Sequence, residues 1–213
     1  MIVCGKDGIK KTVLEEIKKE PVTTILILIN IVIFFLVEIT GSSENTMHML
    51  ECGAAYTPYI LEQGEYYRIF TCMFLHFGME HLANNMLVLF VLGQRLEPIA
   101  GKIKFLLIYL LGGMGGSLLS VYMDIRKQEY AISAGASGAV FAVMGAMIYV
   151  LLRNRGRVAD LSAKQILVMA VFSVYFGFAA GGVDNAAHVG GMIFGFVMAV
   201  ILYHPRKIRN AEP

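Results

Sequence analysis

Six apolar stretches constrain this 213-residue chain more than any single motif does. They lie at about 22–39, 81–96, 103–122, 137–152, 166–178 and 187–203, the fifth being the shortest. A bilayer-spanning helix takes roughly 20 mostly apolar residues. Hydrocarbon offers the backbone no water to bond, so each stretch is expected to close its own hydrogen bonds as a helix. The expected fold is an all-α membrane protein, a six-transmembrane-helix bundle with almost no soluble mass. Composition agrees, with 57% hydrophobic residues and only 16% charged, against about 25% charged in a typical globular domain. The same figures exclude disorder, collagen and coiled coil. A formal net charge of +2 is no electrostatic footprint for a nucleic-acid partner.

The basic residues test this partition. With both termini cytoplasmic, 15 of the 18 Lys and Arg fall on the inner side. Only Arg68, Arg126 and Lys127 fall outside. That asymmetry follows the positive-inside rule, and removing or adding one span would invert every downstream loop. The chain then divides into a short amphipathic lead-in at 1–20, a membrane domain at 21–204 and a basic cytoplasmic tail at 205–213. The first residues lack the charged and apolar regions of a secretory signal, so the first span is expected to be retained. Pro21 sits where that helix would begin, a position at which its missing N–H loses nothing. A long, polar outer loop at about 40–80 separates the first two spans, with apolar patches suited to short interfacial helices.

Polar groups recur at one depth. The second, fourth and sixth spans all run inward, and they begin with His81 and Asn85, with Ser137, and with His188. Polar groups inside a bilayer face the bundle interior or a wet cavity. Ser137 stands in Gly135-Ala136-Ser137-Gly138, where small neighbours leave a hydroxyl accessible at a helix start. Its backbone N–H then points into a site at the positive helix end. Taken alone, the serine reads more readily as an N-cap or a packing residue than as a nucleophile. His188, Gly191 and Gly195 share one helix face, and the Gly191/Gly195 pair permits close helix approach. Gly138, Ala142 and Ala146 offer a matching small-residue surface on the fourth span. Packing these two faces together would bring His188 within reach of Ser137, although a lone histidine there reads as well as a structural one. His81 and Asn85, four residues apart, can donate toward one point, as an oxyanion hole requires. His76, just before that helix, is suited to tying loop backbone to the site. No zinc motif of the HExxH kind follows His81, so no metal and no other cofactor is expected.

Together these residues resemble the rhomboid family of intramembrane serine proteases, across nearly the whole chain. The resemblance rests on Gly135-Ala136-Ser137-Gly138, on the His81/Asn85 pair with His76 before it, and on Ala187-His188 with Gly191 and Gly195. Tyr67-Arg68 stands where the family has Trp-Arg, and Phe141 stands where an aromatic packs on the catalytic histidine. The resemblance implies a Ser137–His188 dyad, with His81, Asn85 and the Ser137 N–H stabilising the oxyanion. Gly135, Phe141 and His76 would support it. Asp184 would lie outside the site, as half of a helix-start pair with Asn185. The implied partners are transmembrane-helix protein substrates within a lipid bilayer, and no nucleic acid.

Two other classes of protein fit this pattern less well. A rhomboid-like protein that binds transmembrane helices without cutting them would lack the nucleophile or the base, and this chain keeps both. A small transporter would favour midplane charges, repeats or broken helices. Here the polar groups sit at helix ends, and Glu97 at the inner end of the second span reads as an interface residue. The glycines of the third span (Gly112, Gly113, Gly115, Gly116) read as packing. The stretch at 177–183 is glycine-rich enough to form a lid over an outer cavity. Cys52 and Cys72 share the outer loop, with no pairing assigned, and the sequence leaves oligomeric state open. The lean six-span core suggests a multi-pass protein of a bacterial plasma membrane.

Overall fold

The computed structural model describes residues 20–154, 157–158, 161–180 and 182–204. Residues 1–19 of the amphipathic lead-in and the basic tail lie outside the described residues. The first long helix, α1 (Pro21–Thr40), starts on its proline. Thr23, Leu26, Asn30, Phe34 and Val37 are buried along one stripe of α1, at the three- and four-residue spacing of a single helix face. Its other side exposes Leu28, Val32, Phe35 and Leu36. An apolar face of that breadth suits lipid rather than water.

The outer loop is folded. It contains α2 (Thr46–Glu51), α3 (Thr57–Glu62), α4 (Arg68–Thr71) and one 3₁₀ turn over Cys72–Phe74. Asn45 starts α2 by accepting the N–H groups of Met47 and His48 at 3.0 and 3.1 Å. Arg68 holds the loop together although it is only 4% exposed. One of its terminal nitrogens donates to the carbonyls of Leu50 and Ala54 at 2.6 and 2.8 Å. Its Nε donates to Glu65 at 2.5 Å, and the Tyr59 and Tyr67 rings lie 5.2 and 5.4 Å from the guanidinium. A buried guanidinium persists only when its charge and donors are matched in this way.

The remaining long helices are α5 (Gly78–Ala100), α6 (Lys102–Lys127), α7 (Ser137–Arg153), α8 (Ala163–Ala180) and α9 (Asn185–Leu202). A two-residue hairpin, β1 (Arg157–Val158) with β2 (Leu161–Ser162), lies between α7 and α8. Among the described residues, three helices, α1, α6 and α9, are long and apolar enough to cross a membrane by themselves, and α7 is a shorter apolar helix. The fifth apolar stretch forms a longer helix than expected. The helix takes residues 177–180 of the glycine-rich lid segment, because a glycine inside a run of apolar helix formers weakens the helix without ending it. Gly182, at φ +67°, lies beyond its end.

Helices α6, α7 and α9 meet backbone to backbone at the centre. A Cβ on Gly191 would collide with the Gly138 carbonyl, one on Gly195 with the Ala142 carbonyl, and one on Gly145 with the Met192 carbonyl. From α6, a Cβ on Gly112 would strike Ala142, and one on Gly116 would lie 2.6 Å from the Ala187 oxygen. In lipid, apolar side chains gain little by leaving their surroundings, so helices associate through close van der Waals contact. Small residues permit that contact.

Glu97 corrects the sequence reading. It is not an interface residue but is 1% exposed, inside the bundle. One carboxylate oxygen accepts the Val22 N–H at 3.0 Å. The other accepts the Thr23 N–H and hydroxyl, both at 2.7 Å. These are orphan donors at the start of α1, where Glu20 makes no side-chain cap bond, and the helix dipole favours an anion there. Replacing Glu97 by Ala is expected to destabilise the bundle by about 3 kcal/mol, because buried N–H groups lose a charged acceptor. The check is the thermal midpoint in mild detergent, and an unmoved midpoint would refute the cap.

Candidate active site

Ser137 is the first residue of α7, and the preceding residue, Ala136, occupies the cap position without a capping side chain. The serine is therefore not an N-cap. The segment before it is extended and pinned to the outer loop. Ser133 and Ala55 exchange backbone hydrogen bonds at 2.9 and 2.8 Å, and the Gly135 N–H donates to the Cys72 carbonyl at 2.9 Å. The Ala136 N–H donates to His76 Nε2 at 3.3 Å.

That last bond requires a neutral imidazole. Burial, with the His81 ring beside it, pushes the His76 pKa down to about 3. His76 is 1% exposed and its ring lies 5.2 Å from that of His81, edge to face. His76 thus orients the peptide next to the serine from outside the helix.

Gly135 is required twice over. Its φ of +151° disfavours a side chain, and a Cβ there would lie 2.8 Å from His81 Cε1, 3.0 Å from His81 Nε2 and 3.5 Å from Ser137 Oγ. The His81 imidazole and the Ser137 hydroxyl therefore border one point. Asn85 is buried on the same face of α5, and its amide donates to the His81 carbonyl at 3.0 Å. One Asn85 N–H is thus engaged within its own helix, at the residue one turn before it.

His188 lies in the first turn of α9, 7% exposed. Its ring is stacked on Phe141, with centroids 4.3 Å apart and planes 10° from parallel. Phe141 is one turn after Ser137, so the stack holds the imidazole against the α7 turn that carries the serine. The helix contact sets the same register, for the Gly138 Cβ position is 3.5 Å from the Ala187 oxygen. No hydrogen bond joins Ser137 to His188 among the described residues, and His188 Nδ1 is buried without a partner there. Catalytic hydrogen bonds in unliganded sites are often long and tighten only when substrate binds.

Asp184 caps α9 by accepting the Ala187 N–H at 2.8 Å, as a helix-start residue should. Its other oxygen accepts the hydroxyls of Ser120 at 2.6 Å and Ser133 at 2.8 Å. Sequence reasoning missed this clasp, because its partners lie 64 and 51 residues away and both are ordinary serines in the sequence. Cys52 and Cys72 are both free thiols. Burial pushes the Cys72 thiol up to about 11, which keeps it protonated and a poor nucleophile. Among the described residues, no group of three or more His, Cys, Asp or Glu is arranged to hold a metal ion.

Comparison with known proteins follows the same lines. The model of the Rhomboid domain matches residues 63–205. The chain is 40% identical over 188 residues to Rhomboid protease GluP of Bacillus subtilis (strain 168), covering 88% of this chain and 36% of that protein. It is 38% identical over 170 residues to RHOMBOID-like protein 1 of Arabidopsis thaliana, covering 78% and 42%. It is 39% identical over 165 residues to RHOMBOID-like protein 6, mitochondrial, of the same plant, covering 76% and 51%. The chain thus spans between about a third and a half of the length of these relatives. With the domain matched over more than half of its residues and the polar groups of three helices gathered at one end, this chain belongs to the rhomboid family.

Proposed function

We propose that the chain is an intramembrane serine endopeptidase that hydrolyses peptide bonds in or near the transmembrane segments of membrane proteins. The observation that carries this reading is the parallel stack of His188 on Phe141, one turn from Ser137. It supports the reading by holding the imidazole against the α7 turn that carries the serine. Ser137 Oγ attacks the scissile carbonyl while His188 takes its proton. Negative charge then develops on the carbonyl oxygen, where His81, Asn85 and the Ser137 backbone N–H stabilise it. His188 returns the proton to the leaving amine. Water, activated by the same imidazole, hydrolyses the acyl-enzyme.

The six long helices are read as six spans with both termini cytoplasmic, an orientation supported by the basic-residue asymmetry. Water then reaches the site from the outer aqueous phase. The identity to a Bacillus relative supports a bacterial plasma membrane, and the substrates are proteins presenting a transmembrane helix. The test is fluorophosphonate labelling of the purified protein in mild detergent. The wild type is expected to be labelled, while Ser137→Ala and His188→Ala, both folded, are not. A folded wild type that resists both this probe and a chloroisocoumarin would instead favour a rhomboid-like protein that binds helices without cutting them.

A further inference from the structure

We infer that Asp184 is a positioning residue, whose carboxylate clasps the segment carrying Ser137 to the helix carrying His188. The inference rests on the dyad reading above. An N-cap needs only one oxygen, and Asp184 uses Oδ1 for that, on the Ala187 N–H. Oδ2 accepts two hydroxyls from two other parts of the chain. Ser120 reaches it from α6 and Ser133 from the extended segment four residues before Ser137. The Asp184 carbonyl in turn accepts the His188 N–H at 3.2 Å. A single residue therefore bonds the serine-bearing segment, the third long helix and the backbone of the histidine itself.

The chemistry calls for a carboxylate. It is an acceptor on both oxygens and can take all three donors at once, whereas an amide nitrogen cannot accept from a hydroxyl. Asp184 is nonetheless not a third catalytic group. Its oxygens are engaged by the serines and the helix N–H, and His188 Nδ1 has no partner among the described residues. The effect is on placement. The glycine contacts fix how closely α7 and α9 approach, whereas the clasp fixes the height of the segment at 133–136 relative to the imidazole. A displacement of about 1 Å in such a site costs on the order of 100-fold in rate.

Ser133→Val and Ser133→Thr provide the test, because the two side chains share a shape and differ in the hydroxyl. The full chain is inactivated with a fluorophosphonate, and the maximal inactivation rate is separated from the probe's apparent binding constant. Ser133→Val is expected to lower the maximal rate at least tenfold with the binding constant within twofold. Ser133→Thr is expected to stay within threefold of wild type, with the two thermal midpoints alike. Asp184→Asn, which keeps a capping oxygen but loses the acceptor for the hydroxyls, is expected to match Ser133→Val. Equal rates for the Val and Thr variants in a protein whose wild type is labelled would overturn the clasp alone. A wild type that is never labelled would overturn the dyad reading beneath it.

Discussion

Ser137→Ala is expected to lower cleavage of a single-span reporter protein by roughly 10⁴-fold or more, and His188→Ala by a similar factor. In the proposed mechanism nucleophile and base act as one unit, so the double variant is expected to be no worse than either single one. His81→Ala and Asn85→Ala should each lose only about 100-fold, because each removes one donor from an oxyanion that the others still stabilise. Timed fragment release on gels, with folding checked by thermal midpoint, measures all five variants together. Residual cleavage by Ser137→Ala near the wild-type rate would eliminate the nucleophile. A double variant far slower than both singles would mean that the two side chains do not work in one step.

Gly191→Leu should abolish the folded bundle. Even a Cβ at this position collides with the Gly138 carbonyl, and backbone cannot move aside as a flexible side chain can. The α7–α9 contact would have to open, with the loss exceeding about 4 kcal/mol, a size that marks disruption of packing rather than a surface change. The matched control is Ile193→Ala, two residues further along the same helix and 52% exposed, which should leave the midpoint nearly unchanged. Size-exclusion profile and thermal midpoint in the same detergent decide it. A monodisperse Gly191→Leu protein melting like wild type would disprove the close contact. Because Gly191 is one turn from His188 and Gly138 adjoins Ser137, opening this contact would also part the backbone turns that carry the two residues.

Much of this was legible in the residues. Apolar length located the long helices, because helix formation in an apolar setting depends on local hydrogen bonding alone. Pro21 marked the start of the first helix for a local steric reason. The small-residue rows on the fourth and sixth stretches announced their mutual packing, since glycine every four residues on one face has little other use in an apolar helix. Gly135, His76 and Phe141 were singled out beside Ser137, and the structure brings each of them to its neighbourhood.

Other features had no local signature. Glu97 looked like an interfacial charge, because nothing near it in the sequence announces that the orphan N–H groups of a helix 75 residues earlier lie against it. Residues 177–180 read as part of a glycine-rich loop, although helix propensity in their apolar context carries α8 through Gly177. Ser120 and Ser133 carry no sequence pattern at all, yet they meet on one carboxylate. By itself the sequence determined where the long helices lie, to within a few residues, and the residue types available at their ends. Both follow from short-range covalent spacing and from the free energy of moving side chains out of water. Only the tertiary structure decided which orphan donor meets which carboxylate, and which helix turns lie against the one that carries the serine. Those are contacts between segments far apart in the chain, and they are set by how closely glycine-bearing helices approach.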